Sequence, residues 1–426
     1  MSTLRNQFIY QVFVRNYSTE GTLQALSHDL DRIKALGTDI LYLMPIQPIG
    51  VFGRKGTYGS PYAIKDYRGI SSDLGTVDDF KELIKQTHLR KMKIMLDIVF
   101  HHTAPDHHWV KEHREFYHLK EGKLSNKVGE WCDIADLELE DNPKLYEALS
   151  DILLYWQDMG VDGFRFDVAS LLPKAFYDSA VPKMKAANPN VILLAESVDS
   201  NFLDYLRTNN FTCLSDSELY EYFDILYDYD NQDKFLGYLK GANSLEEFRK
   251  AHRLQERIYP VDYVKARNVE NHDNARILFH TQSYDKMLQW LGYVFFSKGI
   301  AFLHFGVETG TDHLSFLFEK DPIDWTKLDL LLVDWITKLA SLKKNPIFTQ
   351  NHHYRIISHT KDVLHFEYES STEIMVGIFN VGNEIGSLNI NLPEGNYTHL
   401  ITQETIEIRF SVLKLSNRPI IFSIKK

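Results

Sequence analysis

From residue 7 to about residue 340, short apolar runs alternate with segments in which apolar residues return every three or four positions. The runs predict buried strands and the periodic segments predict amphipathic helices. QFIYQVFV (7–14) mixes β-branched and aromatic residues as a strand does. Leu23, Leu26, Leu30, Ile33 and Leu36 then repeat at helical spacing, and Gly37 stops that helix. DILYLMP (39–45) is a second strand. Thr76-Val77-Asp78-Asp79 reads as a capping box that opens a helix through Phe80, Leu83 and Ile84. MKIMLDIVF (92–100) is a third strand, after which a polar stretch, about 103–136, breaks the rhythm. Loops of that length inside a compact domain are usually functional.

The alternation resumes at Asn142-Pro143, where proline fits just inside a helix start ahead of Leu145, Leu149, Ile152, Leu153 and Trp156. VDGFRFD (161–167) is strand four, with a helix over 173–187, and NVILLAE (190–196) is strand five. FTCL (211–214) is the expected sixth strand, followed by a helical region to about 256. YVKARNV (263–269) is strand seven and GIAFLHF (299–305) strand eight, with helices over 284–297 and 327–340. Eight such units in one parallel series close best as a (β/α)8 barrel of the TIM type. Beyond about residue 345, short alternating segments (HYRIISHT, VLHFEYES, EIMVGIFNV, SLNINL, IIFSIK) predict a C-terminal antiparallel β-sandwich. The expected divisions are a barrel over 1–102 and 137–345, a short inserted domain over 103–136, and the sandwich over 346–426.

Three of the strand runs finish on acids: Asp167, Glu196 and Asp273. Burying an unpaired charge costs several kcal/mol, so packing alone does not explain them. A parallel barrel gathers its strand C-termini at one mouth, where carboxylates from different strands meet. Two carboxyl groups about 5–5.5 Å apart are what retaining glycoside hydrolysis requires, one as nucleophile and one as acid/base. Arg165 lies two residues before Asp167 on the same strand face. Its guanidinium favours the ionised carboxylate, which makes Asp167 the better nucleophile. Glu196 follows Leu194 and Ala195 with no adjacent cation, a setting that suits a proton donor. His272-Asp273 offers a donor and an acceptor to sugar hydroxyls. Arg-x-Asp alone is usually a structural ion pair; the conjunction at the ends of strands four, five and seven, beside Asp97 and His102, is what points to chemistry.

Composition narrows the partners. With 44% apolar and 25% charged residues the chain is an ordinary globular protein. A net charge of −11 argues against nucleic acid and acidic membranes and leaves a neutral ligand as the natural partner. Two cysteines, Cys132 and Cys213, suggest no disulfide framework. The N-terminal segment has no signal-peptide pattern and no stretch reaches the length of a membrane span. A cytoplasmic location is therefore expected. The His-rich stretch His101, His102, His107, His108 matches no strong zinc template.

These motifs together resemble the α-amylase superfamily of glycoside hydrolases over nearly the whole chain. DIVFHH, GFRFD, the glutamate of LLAES, and VENHD resemble its four signatures. YGSPYAIKDY resembles the stretch that supplies a stacking tyrosine, CDIADLELEDNP the link back into the barrel, and GIAFLHFGVE the eighth strand. The resemblance implies Asp167 as nucleophile, Glu196 as acid/base and Asp273 as the group that binds ring hydroxyls and distorts the sugar. It implies Arg165 orienting Asp167, Asp97 supporting Arg165, His102 and His272 bonding to the sugar, and Tyr62 stacking against it. Where many members carry a calcium-ligating asparagine this chain has His101. The loop after strand one also lacks their acidic run, so no metal is expected. Val168 after the nucleophile is similar to members active on α-1,6 bonds. A short insert suggests few subsites. The implied activity is cleavage of α-glucosidic bonds in malto-oligosaccharides or related α-glucans. Transfer to another sugar, or a non-catalytic scaffold of the same fold, are the alternatives.

Overall fold

A computed structural model describes residues 3–127, 131–350 and 353–426. Eight parallel strands close into a barrel: β1 (Phe8–Val12), β2 (Ile40–Leu43), β3 (Lys93–Ile98), β4 (Gly163–Phe166), β5 (Ile192–Ala195), β6 (Ile225–Tyr227), β7 (Lys265–Arg267) and β8 (Ile300–His304). Their spatial order follows the chain order, with β8 pairing back to β1. The expected (β/α)8 barrel is present, with one correction. Phe211–Leu214 forms no strand, and β6 lies eleven residues further on, in the run that begins after Asp224. Cys213 packs instead with Leu171 and Leu206 in a small cluster of its own.

Side chains alternate across each strand, so parity decides what faces where. Ile9, Ile40, Tyr42, Met95, Leu194, Ile225, Tyr227, Ala266, Ile300 and Phe302 belong to the cluster that fills the barrel interior. Their neighbours Tyr10, Leu41, Leu96, Phe164, Leu193 and Leu303 belong to the larger cluster shared with the helices.

The helices form largely where periodicity places them. Thr76 accepts from the Asp79 N–H while the Asp79 side chain accepts from the Thr76 N–H, capping Val77–Leu89. Asn142 caps Pro143–Asp158. The helix expected over 23–36 is broken in two, Leu23–His28 and Leu30–Ala35, at Asp29. The last barrel helix begins at Leu330, because the Asp329 carboxylate caps it there, accepting from Leu331 and Leu332.

Between β3 and the helix at Pro143, the two-residue strands His102–Thr103 and Ala135–Asp136 pair antiparallel and pin the insert to the barrel. The insert's aromatic residues join the main core, where Trp109 packs against Tyr67, His107 and Phe116. Beyond the barrel lie two four-stranded antiparallel sheets. One joins His353–Ile357, Leu364–Glu369, Glu373–Phe379 and Ile420–Lys425, and the other joins Ser387–Asn389, Val412–Lys414, Thr405–Arg409 and Gly395–Thr398. Sequence reading missed Gly395–Thr398, Thr405–Arg409 and Val412–Lys414, whose runs are short and mostly polar. The first sheet presses on the helix Tyr284–Phe296, where glycines allow close approach. A Cβ at Gly377 would lie 2.7 Å from Phe296, and one at Gly292 would lie 2.8 Å from Phe379. Among the described residues no helix is long and apolar enough to cross a membrane.

Candidate active site at the barrel mouth

The inward-facing rows that are apolar at the bottom of the barrel turn polar at the C-terminal strand ends. Two residues beyond Ile9 stands Gln11, beyond Met95 stands Asp97, beyond Leu194 stands Glu196, and beyond Phe302 stands His304. Arg165 and Asp167 continue the inward row of β4. Strand parity therefore gathers a layer of polar side chains above an apolar plug, at the end where barrel enzymes build their sites.

Arg165 is the centre of this layer and is fully buried. Its Nη1 donates to Asp97 Oδ1 at 2.7 Å and to Asp167 Oδ1 at 2.9 Å. Its Nη2 lies 2.6 Å from Glu196 Oε1. One guanidinium thus bridges carboxylates from three adjacent strands. Asp97 also accepts from the Tyr42 hydroxyl at 2.6 Å and from the Tyr62 hydroxyl at 3.3 Å. The register Phe166↔Ala195 sets Asp167 and Glu196 side by side on neighbouring strands. Strand spacing of about 4.8 Å brings such a pair close to the separation used in retaining glycoside hydrolysis. Asp167 and Glu196 keep 7% and 8% of their surface open.

The sequence places Arg165 beside Asp167 and no cation adjacent to Glu196. In space the guanidinium reaches both, because it extends along the mouth to the next strand. Burial pushes the Asp167 carboxyl well up from its ordinary value, against the Arg165 guanidinium that pulls it down. Glu196 is held a second time, its Oε2 accepting the Val168 N–H at 2.7 Å. Val168 presents that N–H from a left-handed conformation, φ 38° and ψ 46°, rare for a β-branched residue. Strain of this kind collects at functional sites.

Tyr62 and His272 close a second side. Their rings stack 5.6 Å apart, and the Tyr62 hydroxyl lies 2.6 Å from His272 Nε2. Asp273 stands more open, its side chain 44% exposed. One carboxylate oxygen lies 3.2 Å from His272 Nε2 and accepts from the Tyr229 hydroxyl at 3.2 Å. The Asn271 side-chain amide donates to that hydroxyl at 2.7 Å. The structure therefore brings Asp97, Arg165, Asp167, Glu196, Tyr62, His272 and Asp273 together. His102 lies at the edge, buried, its carbonyl accepting from the Tyr67 hydroxyl at 3.2 Å and its ring 6.4 Å from that of Trp131. Sequence reasoning missed Gln11, Tyr42 and His304, which sit in apolar runs and read as core, and Tyr229, which lies in the acidic stretch after β6. A polar residue on an inward row near a strand's C-terminus was the available signal.

The calcium position implied by the family resemblance can be tested on its donors. His101 Nδ1 lies 3.4 Å from His102 Nδ1 and 3.8 Å from Asp136 Oδ1, and all three side chains are buried. Asp136 Oδ2 accepts the Lys127 N–H at 2.6 Å. Two imidazoles and one carboxylate do not fit calcium, which takes six to eight oxygens. A closed structural zinc site takes four donors. Among the described residues this trio has no fourth side-chain ligand.

Comparison with known proteins agrees with this geometry. The sequence model described as the catalytic domain of alpha amylase matches residues 8–132 and 129–324, and that of the bacterial alpha-amylase C-terminal domain matches 355–422. The crystal structure of an alpha-amylase from Lactobacillus plantarum superposes with a TM-score of 0.95 at 38% identity, covering 99% of each chain. A noncanonic maltogenic alpha-amylase from Thermotoga neapolitana superposes at 0.88 with 29% identity over 100% of each chain. An alpha-1,4-glucan:maltose-1-phosphate maltosyltransferase of Picrophilus torridus is 32% identical over 249 residues, 52% of this chain and 39% of that protein. The chain spans about a third of the length of the curated maltosyltransferases it matches.

Proposed function

We propose, from the fact that the chain belongs to the α-amylase family, that it is a retaining enzyme cleaving α-glucosidic bonds of malto-oligosaccharides or related α-glucans. The observation that carries this reading is the single buried guanidinium of Arg165 tied to both Asp167 and Glu196 on adjacent strands. In the proposed cycle Asp167 attacks the anomeric carbon while Glu196 protonates the leaving oxygen. Glu196 then takes a proton from water, and that water releases the sugar from Asp167. Arg165 favours the ionised Asp167 against the burial that raises it, and holds both carboxylates in line through each half-reaction. Arg165 binds only one Asp167 oxygen, which leaves the other to attack. Asp273 and His272 bind ring hydroxyls, Tyr62 stacks on the sugar and Asp97 anchors Arg165. None of these steps needs a metal ion, and EDTA is expected to leave turnover unchanged. The two cysteines, both free, fit a reducing compartment, and we place the enzyme in the cytoplasm on that ground.

Parallel digestion of maltotriose, isomaltose, panose, trehalose and soluble starch tests the reading and sets linkage preference. Failure on the whole panel would overturn it. A second reading, transfer of the glycosyl unit to another sugar, is favoured by the similarity to a maltosyltransferase. Products longer than a single pure starting oligosaccharide would establish it.

A further inference from the structure

Behind His272, on the side away from the carboxylates, runs a chain of polar contacts that the proposed chemistry does not use. Gln11 on β1 and His304 on β8 are paired in register, point inward and are buried. His304 Nδ1 lies 2.7 Å from Gln11 Oε1, and Gln11 Nε2 lies 3.1 Å from His272 Nδ1. An amide in this orientation has one role at each end. Its carbonyl accepts from the His304 Nδ1–H, and its NH2 donates to His272 Nδ1. His272 Nδ1 must then be the bare nitrogen, which puts the proton on Nε2. A second contact agrees with this: His272 Nε2 lies 3.2 Å from Asp273 Oδ2, and a carboxylate favours a protonated nitrogen beside it. The remaining links follow with every donor matched. The His272 Nε2–H donates to the Tyr62 oxygen, and the Tyr62 hydroxyl donates to Asp97 Oδ2.

We propose that Gln11, backed by His304, is a positioning residue that fixes His272 as a neutral imidazole with its proton on Nε2, a hydrogen-bond donor aimed into the sugar pocket. The consequence for catalysis rests on the glycosidase reading above. The transition state carries oxocarbenium-like positive charge. A neutral donor can hold a ring hydroxyl there without repelling that charge, whereas an imidazolium would oppose it. The groups facing His272 are Tyr62 on the loop after β2, Asp97 on β3, Arg165 on β4, Glu196 after β5, Asp273 next to it in the chain and, behind Gln11, His304 on β8. Burial, with the Arg165 guanidinium, lowers His272 to about 4. Gln11, carrying no charge, leaves that balance intact while setting the tautomer.

The test has two readouts. Nitrogen-15 NMR of histidine-labelled protein, with the His272 signals identified by their loss in His272→Gln, reports the tautomer directly. The expected wild-type pattern is a protonated Nε2 and a bare Nδ1. A protonated Nδ1 would overturn the proposal, whether or not any sugar is cleaved. Absence of hydrolysis with the expected nitrogen pattern would instead sink the glycosidase reading and spare the tautomer assignment. Gln11→Glu places a carboxylate against Nδ1, which holds a proton there. His272 should take up its second proton at a higher pH than in the wild type, and the acid limb of the kcat/KM profile should move up by about one pH unit or more. Gln11→Met keeps the length and removes both bonds. It should lower kcat/KM about fivefold, the loss expected for one neutral hydrogen bond, with no shift of the profile. Equal losses in both variants with unmoved profiles and an unchanged His272 signal would leave Gln11 a packing residue only.

Discussion

Two clusters of buried cations and carboxylates occupy the same sheet and face opposite ways. Arg165 stands on an inward row of β4 and holds Asp97, Asp167 and Glu196 at the mouth. Lys265 and Arg267 stand on the outward row of β7, against the helix Leu245–Ile258. Lys265 Nζ contacts Asp216, Asp230 at 2.8 Å and the Tyr227 carbonyl at 3.0 Å. Arg267 donates to Asp228 at 2.6 Å, to Gln255 Oε1 at 2.9 Å and to the Lys298 carbonyl at 2.7 Å. The parts are the same and the desolvation cost is of the same kind. The inward cluster ends in a pocket where two carboxylates keep an open edge. The outward cluster closes a wall, with each cation enclosed by protein. A step of one residue along a strand separates chemistry from scaffolding.

The sharpest way to break that comparison is to remove a charge from each cluster. Asp167→Asn and Glu196→Gln should each lower kcat by a factor of about 10⁴ or more while the unfolding temperature moves little, since Arg165 keeps its other carboxylates. Substantial activity in either variant on a good substrate would refute the assigned roles. Lys265→Met should do the reverse. Asp216 and Asp230 lose their shared cation, which costs about 3–5 kcal/mol of stability. The surviving folded enzyme should show a wild-type KM. Urea unfolding beside steady-state kinetics on the three variants reads both halves.

The barrel was legible because seven of its strands fall in short, mostly apolar runs that alternate with periodic, capped helices. The sixth was not. β6 has three residues, and Asp224 precedes it because its carboxylate accepts the Leu193 N–H at the start of the neighbouring strand. FTCL, four residues of better strand composition, buries Cys213 without pairing. At the site, the acids were legible as charges that packing could not explain. The electrostatics were not, because sequence neighbours do not show which strand a guanidinium reaches. Arg165 sits two residues from Asp167 yet also grips Glu196, thirty-one residues on. Gln11 and Tyr42 were hidden inside runs that look wholly structural.

A third buried acid sharpens the contrast by lacking a guanidinium. Asp136, in the short sheet that pins the insert, has its carboxyl raised to about 6, chiefly by burial. An unfolded aspartate titrates near about 3.9. Between about pH 4 and 6 the folded chain therefore binds more protons than the unfolded one. Stability from this group falls as pH rises through that window and is level above it. Asp136→Asn, neutral throughout and still able to accept from Lys127, removes the fall. The variant should match wild type below pH 4 and exceed it by up to about 3 kcal/mol at pH 7, from two pKa units of about 1.4 kcal/mol each. Unfolding free energies at pH 4, 5, 6 and 7 decide it, and a variant no more stable at pH 7 would be the contrary result.

The smallest effect concerns backbone rather than charge, and it sets the mouth against the C-terminal sheets. Val168 holds a left-handed conformation at the mouth, and Phe410 holds one (φ 52°) in the turn between Thr405–Arg409 and Val412–Lys414. A side chain in that region costs about 1–2 kcal/mol, and glycine removes the cost at an entropic penalty of about 0.5–1 kcal/mol. Phe410→Gly should therefore stabilise by up to about 1 kcal/mol, which for a chain of this size is a rise of about 1–2 °C in Tm, and Val168→Gly by less, because the valine side chain also packs on Leu171, Leu206 and Cys213. Turnover should separate them. At Val168 the strained turn aims an N–H at Glu196 Oε2, so the looser glycine should lower kcat severalfold while leaving KM alone. At Phe410 the ring is 87% exposed and kcat should not change. If Val168→Gly gains stability and keeps full turnover, the strained turn serves the chain path alone, and the Val168 N–H is no part of what positions Glu196.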